Sequence, residues 1–202
     1  MDTQNTPNTQ NPPIGNGKKP KKEESWWDII RFALITLAII IPVRMYIAQP
    51  FIVSGESMFP TFHDKEYLIV DELSYRFGGP TRGDVVIFRY PEDPSKFFIK
   101  RIIGLPGEIV SVNSGKVYII KDDKQTELVE PYLKQQTFKD TVTKLGTEEY
   151  FVMGDNRSVS FDSRYWGPVN IKFMRGRALF RLFPPSKISY LPGEFNGYQL
   201  NK

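Results

Sequence analysis

Ser57 and Lys100, 43 positions apart, are the residues of this chain best placed to do covalent chemistry. Ser57 lies in the turn-like stretch Ser54-Gly55-Glu56-Ser57-Met58-Phe59-Pro60-Thr61, where Pro60 stops a helix from running on past Phe59. Such a turn exposes a hydroxyl while aiming backbone N–H groups at one point, as stabilisation of a tetrahedral oxyanion requires. Gly55 permits a substrate backbone to approach closely. Lys100 lies inside the apolar run Phe97-Phe98-Ile99-Lys100-Arg101-Ile102-Ile103. Strand alternation puts it on one face with Phe98 and Ile102, and Arg101 on the other with Ile99 and Ile103. Burial there disfavours the ammonium form; a fall in pKa from about 10.4 to about 8 corresponds to roughly 3 kcal/mol. A neutral amine in reach of a serine hydroxyl can take its proton and pass it to a leaving amine. Taken singly, each residue also has a plain structural reading, a turn serine and a lysine snorkelling from a strand edge.

Other chemistries are poorly served. With one histidine and no cysteine, the chain offers no thiolate, no disulfide framework and no multi-histidine zinc site. His63, six residues after Ser57 in the polar turn His63-Asp64-Lys65, reads as an exposed turn residue rather than a triad member. Asp155 and Asp162 could form an acid–base pair, but Gly154-Asp155-Asn156-Arg157 reads as a turn, and Arg164 is a natural ion-pair partner for Asp162. The net charge is +4, and residues 1–48, with six basic and four acidic groups, hold half of it. The nearly neutral remainder lacks the electrostatic footprint of a nucleic-acid-binding protein. No metal, cofactor or nucleic acid is expected.

The elements that must position the pair follow from composition. Residues 1–25, rich in Asn, Gln, Thr, Pro and Lys, read as a disordered tail. Residues 26–48 turn apolar and would span roughly 34 Å as one helix, enough for a hydrocarbon core of about 30 Å. Arg31 and Arg44 can snorkel to opposite interfaces, and Trp26, Trp27 and Tyr46 suit the aromatic belts. Bulky Tyr46, two positions before Ala48, argues against a cleavable leader and for an uncleaved anchor. A buried helix of a soluble protein is the bland alternative. The Lys18–Lys22 cluster places the N-terminus on the cytoplasmic side and residues 49–202 on the other. That body reads as β-rich, with strands expected near 67–70, 84–89, 97–103, 108–112, 116–120, 150–153 and 177–183. A hairpin turn is expected at Val112-Asn113-Ser114-Gly115-Lys116, and an inserted hairpin or loop region over about 121–148.

Four ordered segments together resemble the bacterial type I signal peptidases, the Ser/Lys-dyad serine proteases also called leader peptidases. They are the Ser54–Thr61 stretch; Tyr67-Leu68-Ile69-Val70 through Arg82-Gly83-Asp84-Val85-Val86-Ile87-Phe88; Lys100-Arg101-Ile102-Ile103-Gly104-Leu105-Pro106-Gly107-Glu108; and Gly154-Asp155-Asn156-Arg157-Ser158-Val159-Ser160-Phe161-Asp162-Ser163-Arg164. With the anchor, the likeness covers residues 26–185. The resemblance implies an antiparallel, mostly β catalytic domain behind one N-terminal transmembrane helix in the bacterial cell membrane. It implies Ser57 as nucleophile, Lys100 as general base and acid, and Ser160 as the hydroxyl orienting the lysine. Asp162 and Arg164 would be a structural ion pair, and Met58 would line the substrate cleft. Some relatives carry a serine, as second oxyanion donor, where this chain has Gly55. The implied partners are the lipid bilayer and signal peptides of exported preproteins, with small residues at the first and third positions before the cut. Two other readings remain: a self-cleaving Ser/Lys protease, and a non-catalytic membrane-tethered β-module that binds peptides.

Overall fold

The computed structural model describes residues 26–42, 48–133 and 137–195. The expected disordered tail, residues 1–25, lies outside the described residues. The helix α1 runs over Trp26–Pro42 and is treated by itself. Nearly every side chain from 26 to 41 is exposed, among them Ile29, Phe32, Leu34, Ile35 and Ile39. At 17 residues it is about 26 Å long, and no helix among the described residues is long and apolar enough to cross a membrane. The sequence expectation ran this segment to residue 48. Residues 43–47 lie outside the described set, and Ala48 opens a strand paired with Asp71 instead.

The remainder is an antiparallel β-structure. One sheet holds β1 (Ala48–Ile52), β2 (Tyr67–Asp71), β3 (Val85–Tyr90), β4 (Asp93–Gly104), β9 (Glu149–Met153), β10 (Val169–Asn170), β11 (Met174–Phe183) and β12 (Ser189–Tyr190). Its order is β1-β2-β11-β3-β4-β9-β10, with β12 on β11. A second sheet, β7-β6-β5-β8, is built from β5 (Ile109–Asn113), β6 (Lys116–Lys121), β7 (Lys124–Glu127) and β8 (Thr141–Lys144). It is inserted between β4 and β9, which pair with each other. Two one-turn helices, α2 (Ser74–Phe77) and α3 (Ser163–Trp166), lie in the connections.

Each expected strand is present, because its β-branched and aromatic residues alternate into a core. The β5–β6 turn is also as expected: Ser114 and Gly115 take φ of 49° and 83°, the left-handed pair that a two-residue hairpin requires. In the 121–148 region the described residues form a hairpin at the start, turning at Asp122 and Asp123, and supply β8 in the later part. Leu128 and Leu145 turn inward onto Val110, Val117, Ile119 and Phe151, so this polar stretch helps close a core between the sheets. Its few apolar residues fall one per turn or strand, too sparsely to register as a pattern.

Candidate active site

Lys100 sits on β4 opposite Val86 of β3 and is 4% exposed. Its Nζ lies 2.7 Å from Ser57 Oγ and donates to the Ile99 carbonyl at 3.0 Å. The Phe98 ring centroid is 5.3 Å from the amine, as the strand alternation requires. Burial pulls the Lys100 pKa down to about 8; Asp162 and Asp155 oppose the fall, and Arg164 adds to it. The amine is therefore substantially neutral near pH 8, without help from any histidine. His63 packs edge-on against Phe59 instead.

The nucleophile turn is held at several points. Gly55 takes φ +81°, a conformation that side chains rarely adopt, and its N–H donates to Asp64 Oδ1 at 2.9 Å. That N–H is thus committed and does not serve as an oxyanion donor. A Cβ at Gly55 would meet nothing within 4 Å, so the glycine answers to backbone conformation and open approach rather than to crowding. Phe59 N–H donates to Glu56 O at 3.1 Å and Phe62 N–H to Met58 O at 2.9 Å, which folds the chain inward after Ser57. Met58 is in consequence 1% exposed, packed with Val53, Phe62 and Leu68. It thus belongs to the core cluster whose members Val53 and Leu68 also line the cleft.

The segment from Gly154 to Arg164 grips this turn from behind. Asn156 donates its N–H to Ser57 O at 3.0 Å and its side-chain amide to Glu56 O at 3.1 Å. Asp162 and Arg164 form a fully buried two-pronged ion pair, with both N–O distances 2.8 Å. Asp162 also accepts from the Gly154 N–H at 3.0 Å. Asp155 is not Asp162's acid–base partner, because Arg101 holds it in a second buried two-pronged pair at 2.8 and 2.5 Å, and Thr61 donates to it. Ser160 is buried, but its hydroxyl has no hydrogen-bond partner, so the expected bond to the lysine amine is not made. The lysine's second contact is Ile99 O in its place.

Sequence reasoning missed Arg101, Thr61 and Asn156. Arg101 is 54 residues from its carboxylate partner, and nothing local marks an arginine that turns inward. Removing one partner of a buried pair leaves a bare charge, which costs roughly 3–5 kcal/mol. Arg101→Met is expected to lose stability in that range, read as a lowered urea midpoint with an unchanged slope.

The pair lies in a cleft of about 450 Å³ whose lining includes Phe51, Val53, Leu68, Ile87, Phe97 and Ile99. Two strand edges border it. Among the described residues β1 pairs with β2 alone, and β4 meets β9 only from Arg101 onward, so one edge of residues 93–100 carries no partner strand there. Open edges beside an apolar trough are suited to an extended peptide. A serine hydroxyl against a neutral amine is suited to forming an ester on that serine.

Residues 26–183 match the family described as Signal peptidase, peptidase S26. The signal peptidase I of Leptolyngbya laminosa is 33% identical over 195 residues, covering 92% of this chain and 94% of the relative. The probable signal peptidase I-1 of Synechocystis is 35% identical over 185 residues, covering 88% and 90%. The signal peptidase I U of Bacillus subtilis is 37% identical over 155 residues, covering 71% and 80%. A solved signal peptidase I from Enterococcus faecalis is 31% identical and aligns over 48% of this chain and 95% of its own, with a TM-score of 0.43. The protein is a serine endopeptidase. It belongs to the signal peptidase family, peptidase S26.

Proposed function

We propose that this protein cleaves N-terminal signal peptides from exported preproteins by acyl transfer to Ser57, with Lys100 as general base and then general acid. The 2.7 Å Nζ–Oγ separation at the end of an apolar cleft carries the reading. The neutral amine takes the hydroxyl proton as Oγ attacks the carbonyl carbon of the scissile bond. The Ser57 N–H, which has no partner among the described residues, is aimed to receive the oxyanion. Collapse of the tetrahedral intermediate breaks the C–N bond, and the lysine ammonium returns its proton to the departing amine. A water then attacks the ester with the amine again as base, releasing the signal peptide as a carboxylic acid and restoring the serine.

The signal peptide lies extended along the free edges of β1 and β4, its backbone bonded to theirs. Its small residues at the first and third positions before the cut face the trough. The apolar segment that begins at Trp26 and ends before β1 anchors the enzyme in the bacterial cell membrane in a single pass, with the N-terminus cytoplasmic and the catalytic body outside. The exposed apolar side chains of α1 support this placement. Incubating the purified full chain with a serine-acylating probe tests the chemistry. One acyl mass should appear on the peptide carrying Ser57, with preprotein cleavage lost in proportion. Labelling elsewhere, or cleavage that survives full labelling, overturns the reading.

A further inference from the structure

The described residues of the return from β7 to β8, 128–133 and 137–140, touch three buried arginines near the site: Arg157, Arg101 and Arg164. Glu130 takes the Arg157 guanidinium in a two-pronged pair, one prong at 2.8 Å. Thr137 accepts from the same guanidinium at 2.6 Å, and Arg157 Nε donates to Gly154 O at 3.0 Å. Arg157 is 1% exposed and held charged well above its ordinary range; its own burial works against that, and Glu130 overrides it. The Tyr132 ring lies 4.2 Å from the Arg101 guanidinium, which grips Asp155. The Phe138 carbonyl accepts from Arg164 Nη1 at 2.8 Å, and Arg164 grips Asp162. Glu130 and Tyr132 belong to the inserted region, outside the four segments that resemble a signal peptidase.

We propose that the described part of this return, which carries Glu130, Tyr132, Thr137 and Phe138, is a positioning strap for the catalytic pair, with Glu130 as its principal positioning residue. Arg157 is next in sequence to Asn156, whose N–H and side-chain amide hold the carbonyls of Ser57 and Glu56. The path from Glu130 to the nucleophile therefore runs through one guanidinium and one turn: Glu130 fixes Arg157, Arg157 fixes Gly154 and Asn156, and Asn156 fixes the peptide group of Ser57. A merely structural ion pair would have no need to end on that peptide group. The second sheet thereby acts on the reaction without touching substrate. Its core, closed by Leu128 and Leu145, holds the strap in place.

The proposal rests on Ser57 and Lys100 as the reacting pair, and its test separates the two. Glu130→Gln keeps the shape and one acceptor but removes the charge, and is expected to lower kcat on a preprotein about tenfold with KM within twofold, because a misplacement of about 1 Å costs about 10²-fold and a smaller one is enough for this loss. The rate at which a small serine-acylating probe modifies Ser57 should fall by the same factor, since the probe does not reach the strap. The double variant Glu130→Met/Arg157→Met guards against a folding explanation, because replacing both members of a buried pair by apolar residues is often neutral for stability. It should regain the wild-type unfolding midpoint while kcat per folded molecule stays low. Wild-type kcat in Glu130→Gln, or kcat that recovers together with the midpoint in the double variant, overturns the strap. Neither result bears on the Ser57–Lys100 pair, whose failure would appear as residual cleavage in Ser57→Ala.

Discussion

Lys100→Met is expected to reduce preprotein cleavage about 10⁴-fold, at the upper end of what positioned acid–base catalysis supplies, while making the folded protein more stable at pH 7. Both effects come from one cause. The folded-state pKa is about 8 against an ordinary 10.5, with burial the chief reason. Between those values the unfolded chain binds the proton and the folded one does not, so stability rises as pH rises from about 8 towards 10.5. Below about pH 8 both states are protonated, and the full penalty of roughly 3 kcal/mol for a dry ammonium is present. Methionine fills similar space without that penalty. Urea titrations should therefore separate wild type and Lys100→Met by up to about that amount at pH 7, and by much less near pH 10.5. In wild type, kcat/KM should rise with pH through an acid limb near 8, since the base must be unprotonated. Lys100→Arg should be as inactive as Lys100→Met, because a guanidinium cannot supply a neutral base at working pH. Ser57→Ala should match them in activity loss but leave the stability profile close to wild type. Cleavage above one-hundredth of wild type in either lysine variant would remove Lys100 from the mechanism.

How much of this arrangement the sequence discloses depends on the range of the interaction. The strands around Lys100 are legible because their cores are made by neighbours two residues apart, as Phe98, Lys100 and Ile102 are. The Asp162–Arg164 contact is legible for the same reason, with the partners two positions apart and a helix cap to fix them. The Ser57–Lys100 contact is suggested by residue type, and its 43-residue separation is closed only by the sheet. The grips by Arg101 on Asp155 and by Glu130 on Arg157 had no local trace, since their partners lie 54 and 27 residues apart. Met58 is a different case, expected at the cleft and buried in the core beneath it. A family pattern can name a position, but the inward fold of the chain after Ser57 decides which way its side chain points. Ser160 shows it too, in a hydroxyl expected at the amine and left without a partner.

Gly154→Ala is expected to cost about 10²-fold in kcat from a single methyl group. An added Cβ would sit 2.2 Å from Ser160 Oγ and 2.3 Å from the backbone oxygen of Ser57, distances that real Cβ atoms do not keep. Gly154 is not in the left-handed conformation, so the difficulty is close approach and nothing else. The residue cannot retreat. Its N–H is bonded to Asp162 and its carbonyl accepts from Arg157, one on each side. Ser160 can rotate or shift its side chain, but the Ser57 oxygen is main chain, bonded in turn to the Asn156 N–H. The strain must therefore move the nucleophile's own peptide group, whose N–H is the proposed oxyanion donor. Displacement of a reacting group by about 1 Å is worth about that factor in rate, and overpacking a tight interior adds roughly 1–3 kcal/mol of instability. Ser160→Gly in the same chain relieves the side-chain contact but not the main-chain one. It should restore part of the lost stability and little of the lost kcat, a split that steady-state kinetics beside urea unfolding would resolve. Wild-type kcat in Gly154→Ala would mean that the nucleophile turn yields freely, and that its distance to Lys100 is not set by the segment behind it.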